Sequence, residues 1–165
     1  MSANLLVFEK EKAPKQPIAF LKWFYTKAEW GAERDYNDIV GTSQKLIDFY
    51  FELKEVFPPM NGKYAPDDAT IEADPGLEDR LTDYCIDDDL IYMAFAWSVA
   101  DEAKDKVKEL AFKHDLGYFD MFNVHLDEDT IMEIPQISRE EIDEYSDEDK
   151  PKKGFFSRLF GGENG

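Results

Sequence analysis

The chain has 165 residues, of which 43% are hydrophobic and 15% aromatic, which is enough for a true core and excludes wholesale disorder. Its net charge of −18 excludes a nucleic-acid-binding body, because a field of that sign repels phosphate backbones and anionic lipid and draws in cationic partners. That charge is unevenly laid out. Residues 1–66 carry nine Lys/Arg and nine Asp/Glu, residues 67–149 six against twenty-seven, and the last sixteen residues four against one. The single Cys85 cannot form an internal disulfide and points to a reducing compartment. The first residues lack the basic region and long apolar stretch of a signal peptide. No window approaches the roughly 18 consecutive apolar residues of a membrane span, so a cytoplasmic protein is expected.

Leu5-Leu6-Val7-Phe8 is a short apolar run that reads as a buried strand. Pro17 suits a helical first turn, and Ile18, Phe20, Leu21, Phe24, Tyr25 and Ala28 recur at helical spacing, with the helix ending before Gly31. After a polar loop, Thr42 or Ser43 caps a second helix whose apolar positions run from Leu46 to Phe57. Pro58 and Pro59 end it. Residues 58–82, rich in Pro, Gly and acids, read as a long surface loop.

Asp83–Ile86 and Leu90–Trp97 then flank Asp87-Asp88-Asp89 as a hairpin. In the second run both alternating sets are apolar, which predicts a central strand covered on both faces. Ser98 and Asp101 make a capping-box-like start to a helix through Ala103, Val107, Leu110, Ala111 and His114. Gly117 closes it, and strands over Tyr118–Phe122 and Thr130–Ile134 follow, separated by Asp127-Glu128-Asp129. The order β-α-α-β-β-α-β-β predicts one α+β domain over residues 1–136, with helices packed on a mainly antiparallel sheet. Residues 137–150 read as an acidic linker and 151–165 as a basic aromatic tail.

Chemistry is thinly signalled. His114 and Asp120, six residues apart, are the candidate catalytic pair, an imidazole oriented by a carboxylate for proton transfer. The plainer reading has His114 bonding the carbonyls at a helix C-terminus. Cys85, mid-strand, reads as an inert buried thiol. Asp87, Asp88 and Asp89, and Asp127, Glu128 and Asp129, are hard-oxygen clusters, but neither follows the twelve-residue calcium-loop pattern. They read as charged turns, and no metal or cofactor is expected. Trp23, Trp30 and Trp97 fit a core better than a ligand cavity. In the tail, Phe155, Phe156, Leu159 and Phe160 share one face of a short helix flanked by Lys152, Lys153 and Arg158. Such a segment can dock in a groove, rest weakly on an anionic membrane, or fold back on its own domain.

Phe57-Pro58-Pro59-Met60-Asn61-Gly62, Ile91-Tyr92-Met93-Ala94-Phe95-Ala96-Trp97-Ser98 and Leu110-Ala111-Phe112-Lys113-His114 through Gly117-Tyr118-Phe119-Asp120 carry a resemblance. With Thr42-Ser43 and Tyr84-Cys85-Ile86, they resemble an uncharacterised family of small bacterial proteins sharing FPxMNG, IYxAFAWS and LAxKHxxGFFD segments. The resemblance covers roughly residues 3–135 and departs mildly at Tyr118, where the family often has Phe. It implies a bacterial α+β domain with no established activity. The composition favours a non-enzymatic protein-binding module whose acidic face, residues 67–90 and 127–149, engages a basic protein partner; neutralising a toxin would be one concrete case. The expected contacts are Asp87, Asp88, Asp89, Asp127, Glu128 and Asp129. The alternatives are a small enzyme or ligand-binding domain using His114 and Asp120, or an adaptor docking through its tail.

Overall fold

Leu5, Leu6, Val7 and Phe8 are all removed from solvent, so the strand that holds them must be covered on both faces. The computed structural model describes residues 2–147 and places that strand, β1 (Ser2–Phe8), near the middle of a six-stranded sheet. The other strands are β2 (Asp83–Ile86), β3 (Leu90–Ala96), β4 (Gly117–Phe119), β5 (Asn123–His125) and β6 (Ile131–Glu133). Their order across the sheet is β2-β3-β1-β4-β5-β6, and every neighbouring pair is antiparallel. The protein is an α+β fold, as its pattern of runs predicts.

Four helices accompany the sheet: α1 (Pro17–Lys27), α2 (Gln44–Leu53), α3 (Asp68–Ala73) and α4 (Ala100–Lys113). Alternation along β1 assigns the two faces. Ala3, Leu5 and Val7 join α2 and α4 through Leu46, Phe49, Leu53, Ala103, Val107 and Leu110. Leu6 and Phe8 join α1 through Ile18, Phe20, Leu21 and Phe24, together with Ile134, Ile137 and Ile142. On that second face Phe20 meets Phe8 and Phe119 at ring-centroid distances of 5.3 and 5.1 Å, the tilted contacts aromatic rings prefer.

Several local expectations shift. Within 58–82, Asp67 accepts from the backbone N–H of Thr70 at 2.8 Å and starts α3, and Glu78–Arg80 forms a single 3-10 turn. The run 118–122 is not one strand. Asp120 Oδ1 accepts from the N–H groups of Phe122 and Asn123, and Met121 sits at φ 76°, so the chain reverses and β5 pairs back on β4. Trp97 leaves β3, opens a 3-10 turn and is 58% exposed. That turn moves the start of α4 to Ala100, with Val99 at its N-cap and no side-chain cap from Ser98. The boundary expected at 136 falls inside packed structure: Ile137 and Ile142 are buried against α1, and Tyr145 packs beside them.

Candidate interaction surfaces

Strand register fixes which charged loops share an end of the sheet. Phe8 pairs with both Leu90 and Gly117, and His125 pairs with Tyr118 and Ile131. The β2–β3 turn, the β5–β6 turn, Glu9 and Asp115 therefore lie at one end, whereas 78–82 enters β2 at the opposite end.

Asp87, Asp88 and Asp89 form the β2–β3 turn, and their carboxylates converge within 4.8 Å. The turn is tied down on all sides. Thr42 Oγ1 donates to the Asp87 carbonyl at 3.0 Å, Ser43 N–H to that of Asp88 at 3.0 Å, and Glu9 N–H to that of Asp89 at 2.9 Å. Lys27 Nζ lies 2.9 Å from Asp89 and 3.5 Å from Asp88, and Arg34 lies 3.6 Å from Asp87. The Asp87 and Asp89 side chains are only 11% and 14% exposed, against 60% for Asp88. Burial holds the Asp89 carboxyl above the usual carboxylate range against the pull of Lys27. Two internal cations thus supply the charge that a metal ion would, and only Asp88 faces outward.

Asp127, Glu128 and Asp129 differ: all three are exposed. Asp127 Oδ1 accepts from the N–H of Asp129 at 2.8 Å, and this bond, followed by one from the Thr130 hydroxyl, holds its carboxyl below the usual range. Between the two turns the surface is of mixed charge, with Lys10 2.8 Å and Lys45 3.3 Å from Asp115.

The expected pair of His114 and Asp120 is not brought together as a proton relay. His114 is the C-cap of α4, its N–H donates to the Leu110 carbonyl, and its Nε2 lies 2.9 Å from Glu52 Oε1. Glu52 also receives Lys113 at 2.9 Å, which, ahead of His114, keeps its carboxyl below the usual range. Asp120 instead faces His125, with Nε2 3.7 Å from Oδ2. His125 is buried beside the Tyr118 ring, and burial lowers its pKa below the ordinary imidazole value. Neither partner was legible, because Glu52 is 62 residues from His114 in the chain and His125 sits on a three-residue strand. Cys85 is half-buried, and burial followed by Asp83 raises its thiol to about 11, so it stays protonated and unreactive at neutral pH.

Two acidic runs remain free. Asp67, Asp68, Glu72, Asp74, Glu78 and Asp79 are all exposed, and among the described residues none forms an ion pair. Arg80, which follows them, is paired with Glu102. Glu140, Glu141, Asp143 and Glu144 are exposed on the segment that buries Ile142.

Beside that segment lies an apolar groove of about 380 Å³. Its walls are Leu21, Phe24 and Tyr25 of α1, Phe119, Met121, and the stretch from Ile134 to Ser138. Tyr25 Oη donates to the Ile137 carbonyl at 2.6 Å and fixes the two walls together. Gln136 spans to the Met121 carbonyl at 3.1 Å. A second cavity, of about 340 Å³, is lined by Asp35, Asn37, Asp38, Ile39, Val40, Gly62, Lys63 and Tyr64. His114 and Asp120 line neither. The tail residues Lys152, Lys153, Phe155, Phe156, Arg158, Leu159 and Phe160 lie outside the described residues.

No family model, curated protein or solved structure matches the chain. Among the described residues, no helix is long and apolar enough to cross a membrane.

Proposed function

We propose that the protein is a non-enzymatic binding module that uses its free carboxylates to engage a basic protein partner. The observation that carries this reading is the run Asp67–Asp79, six exposed acids with no ion pair among the described residues. Where acids are needed for the fold, as at Asp87 and Asp89, the chain supplies Lys27 and Arg34. On 67–79 no ion pair forms among the described residues and Arg80 reaches Asp74 only through space, so most of that field faces solvent and extends about a Debye length, ~8 Å at physiological salt. Such a patch steers a cationic surface toward it and then occludes that surface, the mechanism an immunity-like protein would use. Asp127, Glu128, Asp129 and the outward Asp88 add to the field from other parts of the surface, while Asp87 and Asp89 serve the turn. The lone Cys85, held as a thiol, fits a reducing compartment, and we place the protein in the cytoplasm.

The test separates a patch from bulk charge. Full-length protein, a variant carrying Asp68→Asn, Glu72→Gln, Glu78→Gln and Asp79→Asn, and one carrying Glu140→Gln, Glu141→Gln, Asp143→Asn and Glu144→Gln are used for affinity capture from the native lysate. Captures are run at low and at physiological salt, and retained proteins are identified by mass. Asp67 is left intact because it caps α3. A basic protein held by the wild type and the second variant, but lost from the first, is the expected result. Equal retention by the two variants would reduce the acids to a solubility device.

A further inference from the structure

The apolar groove has a floor of buried aromatic and aliphatic side chains, and the chain delivers its own occupant to the rim. Asp147, the last described residue, is held by Lys22 of α1 at 3.1 Å, and Lys22 also donates to the Tyr145 carbonyl. Lys22 lies between Leu21 and Tyr25, both of which line the groove. Phe155 is eight chain steps beyond Asp147, an extended reach of about 26 Å, several times the ~4.5 Å rise along α1 from Lys22 to Tyr25. Charge points the same way. Glu140, Glu141, Asp143 and Glu144 are exposed between the groove and Asp147, while the segment that follows carries Lys150, Lys152, Lys153 and Arg158.

We propose that this groove is the docking site, in cis, of the chain's own basic aromatic segment, residues 152–160, with Phe155, Phe156, Leu159 and Phe160 entering the groove and the Lys/Arg side chains meeting the acidic strip. The apolar spacing is that of a short helix laid in a groove. Tethering places the segment at a local concentration on the order of millimolar, far above that of any second copy in dilute solution. The body's negative field, in turn, opposes an anionic membrane as the competing host. The inference stands apart from the acidic run 67–79 and does not depend on its partner.

Three measurements test it on the full chain: photocrosslinking, peptide titration and capture by phosphatidylserine vesicles. Benzoylphenylalanine replaces Phe156 for photocrosslinking of dilute protein, with the sites mapped by mass spectrometry. Crosslinks to Leu21, Phe24, Tyr25 or Met121 in a monomer-mass product, with a yield independent of concentration, are expected. A fluorescent synthetic peptide of residues 150–165 is then titrated into wild type and into the full-length variant Phe155→Ser, Phe156→Ser, Leu159→Ser, Phe160→Ser. Once its own segment is disabled, the variant should bind the peptide about tenfold or more tighter than the wild type, because the cis competitor is gone. Crosslinks confined to dimer-mass species would assign the groove to a second copy's segment. Capture of the protein by phosphatidylserine vesicles without crosslinks to the groove would assign the segment to lipid. Either result, or equal peptide binding by both proteins, overturns the proposal.

Discussion

Phe8 closes its ring over the backbone of Gly117 where β1 and β4 pair, and a Cβ built on Gly117 would stand 2.3 Å from Phe8 Cζ. With Phe8 wholly buried against Phe20 and Trp23, the ring has nowhere to move. Gly117→Ala should cost about 1–3 kcal/mol by overpacking, measured as a lower denaturant midpoint at unchanged slope. Adding Phe8→Leu should recover part of that loss, since the two sites touch. His125 sets a pH dependence of definite sign. Its folded-state pKa lies below the ordinary 6.5, mainly through burial, with Asp120 pulling the other way and Lys108 adding to the lowering. The unfolded chain therefore takes up the proton first, so stability falls as the pH drops below about 6.5 and is level above it. His125→Gln should flatten that fall between pH ~7.5 and ~5.5 in equilibrium unfolding. An identical slope in wild type and variant would remove His125 as its source. Carboxylates held low, such as Glu52, Glu102 and Asp115, contribute with the same sign, stability lost as the pH falls, but only nearer pH 4, outside this window.

The segment 138–145 shows what composition hides. Its run of acids reads as a solvated linker, yet Ile142 is only 3% exposed and Tyr145 packs with it on α1. Two apolar residues three apart are enough to seat one turn when the carboxylates between them can point to water. Ile142→Ala should therefore cost about 2–4 kcal/mol, read by thermal or denaturant unfolding. A change near zero would return the segment to linker status. β1 and β3 announce themselves because strands covered on both faces have unbroken apolar runs, and α1, α2 and α4 because their buried positions recur every three to four residues. β5 was missed because three residues cannot display an alternation, and the reversal before it depends on Asp120 bonding two backbone N–H groups. The pairs His114–Glu52 and His125–Asp120 were equally hidden, since tertiary packing alone selects those partners.

For the molecule as a whole, a net charge of −18 would press the chain apart if its carboxylates were evenly spread. They are not. Lys27, Arg34, Lys10 and Lys45 answer the acids at the end of the sheet where Phe8 meets Leu90, while 67–79 and 140–144 carry theirs outward to solvent. The two margins of the sheet are likewise handled differently from its middle. Just ahead of β2, the Thr82 N–H donates to the Pro58 carbonyl and Met60 N–H to the Thr82 carbonyl, and at its far end Ile86 N–H donates to the Tyr36 carbonyl, so loops cap both ends of that border. At the other border, β6 is three residues long and ends in the exposed Glu133. A neighbouring chain seeking to extend the ladder finds one margin capped at both ends by loops and the other brief and edged by a carboxylate, features that disfavour growth into fibrils by edge pairing.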